Sequence, residues 1–229
     1  MTTSRDKILS KLRAARQPFP DAPPRPQAYQ PVAKLDDTSP VALVERFVTE
    51  IGLLKGEAFI VEGDNAACEK VRELLISHHT TRLLAWDFRH IPIKNLENPI
   101  RELGIEIIHP DIHDEFRRET LVMAETAQVG LTGVDFAIAA TGTLIVSTGE
   151  GKPRIPTVLP PSHIAVVTLE QIIPRLENWI AYQRANDLPS IYNNSNICFI
   201  SGPSRTGDIE KQLVLGMHGP GQVQVVIKK

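Results

Sequence analysis

The stretch Gly130-Leu-Thr-Gly-Val-Asp-Phe-Ala-Ile-Ala-Ala-Thr-Gly-Thr-Leu-Ile-Val-Ser147 decides how the rest of the chain is read. Residues 134–139 and 143–147 are apolar runs of strand length. The short gap Ala140-Thr141-Gly142 between them predicts neighbouring antiparallel strands. Thr132-Gly133 and Thr141-Gly142-Thr143 then lie at opposite strand ends. A second segment of similar character, Ser201-Gly-Pro-Ser-Arg-Thr-Gly-Asp208, follows another apolar run, so two polar loops can converge on one pocket.

On the N-terminal side of this unit, strand-like and helix-like segments alternate. Ser39-Pro40 reads as a capped helix start with Val44, Phe47, Val48 and Ile51 as its buried stripe. Residues 58–61 form a short buried strand, and Asp64 is placed to cap a helix carrying Ala67, Val71, Leu74 and Leu75. A strand at 82–85, a helix at 97–103 and a strand at 105–108 follow, then a helical pattern between Asp114 and Ala127. On the C-terminal side, Thr148-Gly149-Glu150-Gly151-Lys152 is an exposed turn and 163–167 a strand. Ile172, Ile173, Leu176, Trp179 and Ile180 share a helical stripe that Pro174 interrupts. A strand at 196–200, a helix at 206–215 and a strand at 223–227 that closes the sheet complete the chain. This alternation predicts an α/β fold: a three-layer sandwich with a mixed, largely parallel sheet.

The totals suit one such domain. At 229 residues the chain can bury roughly 70–75% of its extended-chain surface. Residues 1–38 read as an N-terminal extension and 39–229 as the domain. In the extension, Thr3 or Ser4 caps a basic helix with Ile8, Leu9 and Leu12 on one face. Pro18, Pro20, Pro23, Pro24, Pro26 and Pro31 then impose an extended linker.

Lysine and arginine number 25 against 27 acidic residues, giving a net charge of −2 with no long single-sign run, which argues against a nucleic-acid partner. No apolar run approaches the ~20 residues of a membrane span, and no signal-peptide core opens the chain, so a cytoplasmic location is expected. Cys68 and Cys198, far apart and alone, lack the clustered spacing of a zinc or iron–sulfur site, and a metal site is not expected.

The segment from Ser201 to Asp208, read as a strand-to-helix loop, can bind an anion through free amides at the helix start, with Arg205 gripping a carboxylate or phosphate. The same residues also suit a plain capped helix with Arg205 paired to Asp208. It is not a Walker A loop, because the Gly-Lys-Ser/Thr ending is missing. His218, on the turn Gly216-Met-His-Gly-Pro220, and His163, at the start of a strand, could share that pocket. His109 and His113 have helical metal-ligand spacing, against which Pro110 argues. His78-His79 suit a helix end. Asp135 is the one acid in the central unit. It is either held by hydrogen bonds to Thr132 or loop amides, or acts as a general base in a cleft.

The run Ile200-Ser-Gly-Pro-Ser-Arg-Thr-Gly-Asp-Ile-Glu210, followed by Leu213-Val-Leu-Gly-Met-His-Gly-Pro220, resembles a signature of the LUD-domain family. Gly130 to Thr143 and Leu159-Pro-Pro-Ser-His-Ile-Ala165 resemble its two other blocks. Two positions depart from it. Ala140 stands where an acidic residue is frequent, which removes a catalytic carboxylate there, and Gly207 stands where alanine is common. The resemblance implies a fold similar to the sugar-phosphate isomerase and CoA-transferase superfamily. It also implies a role in oxidising L-lactate to pyruvate beside two partner proteins that carry the iron–sulfur clusters, this chain binding no cofactor by itself. It leaves open a homo-oligomer, and also an independent enzyme acting on a sugar phosphate, CoA thioester or folate. The residues expected to bind a small carboxylate or phosphate are Thr141, Gly142, Thr143, His163, Ser201, Gly202, Ser204, Arg205, Thr206 and His218.

Overall fold

The computed structural model describes residues 3–15, 35–110, 117–207 and 214–229. Contacts divide the chain into two units, Met1–Lys34 and Leu35–Lys229. In the first, helix α1 (Ser4–Ala14) opens on a capping box. The Thr3 hydroxyl accepts from the Asp6 N–H at 3.2 Å, and the Asp6 carboxylate accepts from the Thr3 N–H at 3.0 Å. Its apolar residues Ile8 and Leu12 are 59% and 63% exposed. The proline-rich linker lies outside the described residues.

The second unit begins with α2 (Pro40–Leu53), capped by Ser39, then β1 (Glu57–Val61), α3 (Gly63–Ser77) and β2 (Arg82–Ala85). Next come α4 (Glu97–Arg101), β3 (Glu106–Ile108), α5 (Arg117–Ala124) and β4 (Val129–Gly133). The hairpin strands β5 (Phe136–Ile138) and β6 (Thr143–Thr148) precede β7 (Ser162–Thr168) and β8 (Ile172–Ile173). Helices α6 (Leu176–Ala185) and α7 (Pro189–Tyr192) lead to β9 (Asn196–Ile200), β10 (Arg205–Thr206), β11 (Val214–Leu215) and β12 (Gln222–Lys228).

Six strands form a wholly parallel sheet in the order β1-β12-β7-β4-β2-β3. Its inner strands read as near-continuous apolar runs because both faces are covered. On one face lies α3: His78, at its C-terminal end, reaches Gln224 at 2.7 Å, and Lys70 sits 5.0 Å from the Phe59 ring. On the other, α5 brings Ala124 onto Leu84 and Ile108. A 3-10 turn (Ile155–Thr157) covers β4 on that face, where a Cβ on Gly130 would lie 1.8 Å from the Pro156 carbonyl oxygen. Helix, sheet and helix give the expected three layers.

A second sheet, β8-β5-β6-β9, carries the antiparallel pairing of β5 with β6 and of β6 with β9. Here the structure departs from the sequence reading. The antiparallel pair is present, but its first strand starts at Phe136, and residues 129–133, not read as a strand, form β4 of the other sheet. The chain changes sheets at Val134-Asp135. Ile172 and Ile173 pair with β5 instead of continuing a helix, since Pro174 cannot donate to one. Strand β12 does not close the parallel sheet but lies inside it, between β1 and β7. Asp64 does not cap α3. It accepts from Lys228 Nζ at 2.7 Å, tying the helix start to the end of β12.

Burial fixes one titration. His163, fully buried on β7, meets the Thr132 hydroxyl through Nε2 at 2.9 Å, and its Nδ1 has no partner among the described residues. Removal from water pushes its pKa down to about 4.

Two outcomes follow for stability. Gly130→Ala should lower unfolding free energy by ~2–3 kcal/mol through overpacking against Pro156. Gly63→Ala, at φ +74° with open space around it, should cost only the ~1 kcal/mol of a left-handed backbone; chemical denaturation of the two variants checks the contrast. Unfolded His163 binds a proton near pH 6.5 and the folded one only near 4. Its contribution is therefore complete above pH 6.5, declines as pH falls towards 4 and levels off below, ~3 kcal/mol in all. The stability difference between the parent and His163→Leu, followed by urea titration, should shrink over that window. A pH-independent difference would mean that the folded imidazole is open to protons.

Candidate functional site

The two polar loops meet. Strand β9 pairs with β6 so that Leu144 lies opposite Ile200, which places Thr143 and Ser201 side by side at one end of the second sheet. Their hydroxyls are 2.8 Å apart, and Thr143 Oγ1 lies a further 2.8 Å from Thr141 Oγ1. The three oxygens form a continuous chain, buried at Thr143 and exposed at Thr141 and Ser201. It sits against the end of α2. A Cβ on Gly142 (φ +57°) would lie 2.5 Å from the Ile51 nitrogen, and one on Gly202 (φ +80°) 2.7 Å from the Leu54 carbonyl oxygen. Only glycine permits this approach and this backbone at both positions.

Arg205 joins the same corner: its guanidinium donates to the Ser201 carbonyl at 3.4 Å, while most of the exposed side chain faces outward. The expected helix start is not formed there. Arg205 and Thr206 are β10, antiparallel to Val214 and Leu215 in β11. Ser204 lies in an extended clasp, its N–H donating to the Pro220 carbonyl at 2.8 Å and its carbonyl accepting from Gly216 at 2.9 Å. Both described ends of the predicted 206–215 helix are thus strand, Thr206 in β10 and Val214–Leu215 in β11, and residues 208–213 lie outside the described residues. Among the described residues of this loop, the groups offered to an anion are the hydroxyls and the guanidinium. Asp208, the alternative partner of Arg205, lies outside the described residues.

The two candidate histidines are in different settings. His163 is sealed in the parallel sheet, whereas His218 is on an exposed turn whose N–H donates to Ser204 Oγ at 3.4 Å. His109 stacks edge-on against Phe88 with ring centroids 5.7 Å apart; His113 lies outside the described residues. The His78 ring bonds Gln224 rather than the helix carbonyls. Among the described residues no group of three or more His, Cys, Asp or Glu side chains could hold a metal ion. Cys68 and Cys198 are free, partly buried thiols, and burial raises the pKa of the first.

Asp135 is held on two sides, though not by Thr132. Its carboxylate accepts from the Ser147 N–H at 2.6 Å and from Lys152 Nζ at 3.0 Å. Lys152 also donates to Ser147 Oγ at 3.1 Å and lies 5.6 Å from the Trp86 ring centre, while the Trp86 indole N–H donates to the Pro153 carbonyl at 2.9 Å. These contacts fix the loop after β6. That loop walls a cleft of about 810 Å3 at the C-terminal ends of β2 and β3, closed on other sides by Phe88, His109 and the segment around Asn193. A shallower hollow of about 510 Å3 adjoins it across the Phe88–His90 turn, with Lys94 and Lys228 in its lining. None of the ten predicted residues lines either one.

In the cleft Asp87 and Arg89 are paired. The guanidinium donates at 2.9 and 2.6 Å and, with the Arg89 N–H, holds the Asp87 pKa down at about 2. Sequence reasoning passed over this cleft because its residues carry no motif. The signal was positional: polar residues directly after a parallel strand, where open α/β sheets receive ligands.

The arrangement matches known proteins along most of its length. The LUD domain family model fits residues 44–227, from α2 through β12. Lactate utilization protein C of Geobacillus sp. (strain WCH70) is 31% identical over 166 residues, covering 69% of this chain and 67% of that protein. Its namesake from Macrococcus caseolyticus is 30% identical over 164 residues, covering 69% and 66%. The one from Bacillus subtilis is 33% identical over 109 residues, covering 48% and 45%. The matches thus span between 45% and 67% of these relatives' own length. A DUF162 family protein from Deinococcus radiodurans, known from its crystal structure, shares the fold, with a TM-score of 0.59 at 17% identity over 84% of this chain and 100% of that one. With both sheets and both polar loops inside the matched region, the chain belongs to the LUD domain family.

Proposed function

We propose that this protein serves lactate utilization as the non-redox subunit of a system that oxidises L-lactate to pyruvate, its partners carrying the iron–sulfur clusters. In this reading it binds a small carboxylate at the corner formed by Thr141, Thr143, Ser201 and Arg205. The names borne by its relatives support the pathway. The cysteine inventory supports the division of labour, since Cys68 on α3 and Cys198 on β9 are two isolated thiols, short of the four that a cluster commonly needs. The observation that carries the ligand reading is the unbroken hydroxyl chain with a guanidinium anchored on the same Ser201. A carboxylate laid across it can take a bidentate grip from Arg205 and hydrogen bonds from the two exposed hydroxyls.

No carboxylate or imidazole is hydrogen-bonded to any of the three hydroxyls among the described residues, and Ala140 supplies none, so the corner suits binding better than proton transfer.

The purified chain should produce no pyruvate from L-lactate by itself. Lactate or pyruvate at a hundred times its dissociation constant adds ~2.7 kcal/mol, which should raise the thermal midpoint by roughly 5–10 °C in the parent and not in Arg205→Ala. Turnover by the isolated chain, or a midpoint that moves only with a sugar phosphate or CoA, would replace this reading with that of an independent enzyme.

A further inference from the structure

The cleft between the Asp87–His90 segment and the loop after β6 is unused by the reading above, shares no residue with the Ser201 corner and has the chemistry of a second site. It opens at the carboxyl ends of two parallel strands, β2 and β3, beside the point where the connections diverge. Strand β2 is followed by β3 on one side, while β4 is followed by β7 and β12 on the other, so the connections diverge between β2 and β4. Open α/β sheets bind ligands beyond the carboxyl ends of their strands near such a divergence, and the cleft lies on its β3 side. The walls are fixed: the Asp87 N–H donates to the Gly151 carbonyl at 2.9 Å, the Ser195 N–H donates to the Thr148 carbonyl at 3.1 Å, and the Lys152–Asp135 pair anchors the loop between them.

Size, charge and shape narrow the ligand. About 810 Å3 falls in the upper part of the ~300–1,000 Å3 range of pockets for drug-sized ligands, and a three-carbon acid would leave most of it to water. Of the charged groups in its lining, Asp87 is paired with Arg89 and Glu97 with Arg101, while Glu150 has no ion-pair partner among the described residues. Arg154 has no ion-pair or side-chain hydrogen-bond partner among the described residues. The lining also holds the Phe88 and His109 rings, with Pro110 and Ile155, as its aromatic and apolar part. We infer that this cleft binds a planar heterocycle joined to an anionic group, the ring against Phe88 and His109 and the anion on Arg154. Flavin and adenine mononucleotides share that chemistry and differ in the ring.

Titration of the full chain with flavin mononucleotide, followed by its fluorescence, and with adenosine monophosphate, followed by calorimetry, tests the assignment. At least one should bind, more tightly than riboflavin or inorganic phosphate alone, and which one binds identifies the ring. Arg154→Ala should weaken it about ten-fold or more, while Arg205→Ala should leave it unchanged. His109→Ala, at an exposed position, should also weaken it and does not depend on the folding of the arginine variant. The inference is overturned if neither nucleotide binds at millimolar concentration, if phosphate alone binds as tightly, or if Arg154→Ala and His109→Ala bind like the parent. Since Arg205 and Arg154 are probed separately, loss of lactate binding and loss of nucleotide binding are distinguishable results.

Discussion

Asp135 sits where the chain crosses from the parallel sheet to the second one, and the architecture depends on how that crossing is held. Its N–H donates to the Ile145 carbonyl at 2.8 Å, which starts the β5–β6 pairing. Its carboxylate takes the Ser147 N–H further along β6 and the ammonium of Lys152 beyond it. Strand β4 ends only two residues earlier, so one side chain fixes the angle at which the second sheet leaves the first. A partly buried carboxylate costs free energy unless its charge is met, and this one meets a cation and an amide together. The energetic requirement of the acid and the geometric requirement of the crossing are satisfied by the same contacts.

From that anchor the two ligand regions part. Along β6 towards its start lies the hydroxyl chain, set by the register of β6 with β9 and by the glycine contacts with α2. Beyond the end of β6, the loop bearing Lys152 becomes a wall of the cleft. The regions use opposite ends of one strand, which is how a single hairpin serves both.

Much of this was readable in the residues, for local reasons. The Ser39 cap followed by Pro40, the Thr3 cap and the antiparallel β5–β6 pair each depend on neighbours within a few positions. The convergence of Thr141, Thr143 and Ser201 followed from two similar loops at strand ends. What misled was non-local. The ends of the segment read as a 206–215 helix pair with each other, Arg205-Thr206 with Val214-Leu215, beside Ser204's bonds to Gly216 and Pro220. Residues 129–133 lack the look of a strand because Gly130, Thr132 and Gly133 break their apolar pattern, although both of their faces are covered. The cleft escaped notice because its parts come from after β2, β3 and β6 and before β9, and only the sheet order brings them together.

The place of β12 has a consequence for how the protein is made. The last strand of the chain lies between the first strand and β7, paired with both through most of its length. Until β12 is made, β1 and β7 have no partner for the edges that will face it, and the sheet exists as separated pieces. Long-range parallel pairing of this kind is slow to form, and unpaired edges invite association with other chains. A chain that stopped before β12 would lose an interior strand rather than a margin, and with it the continuity of the sheet. The parallel sheet therefore becomes continuous only once β12, made after all its other strands, is in place.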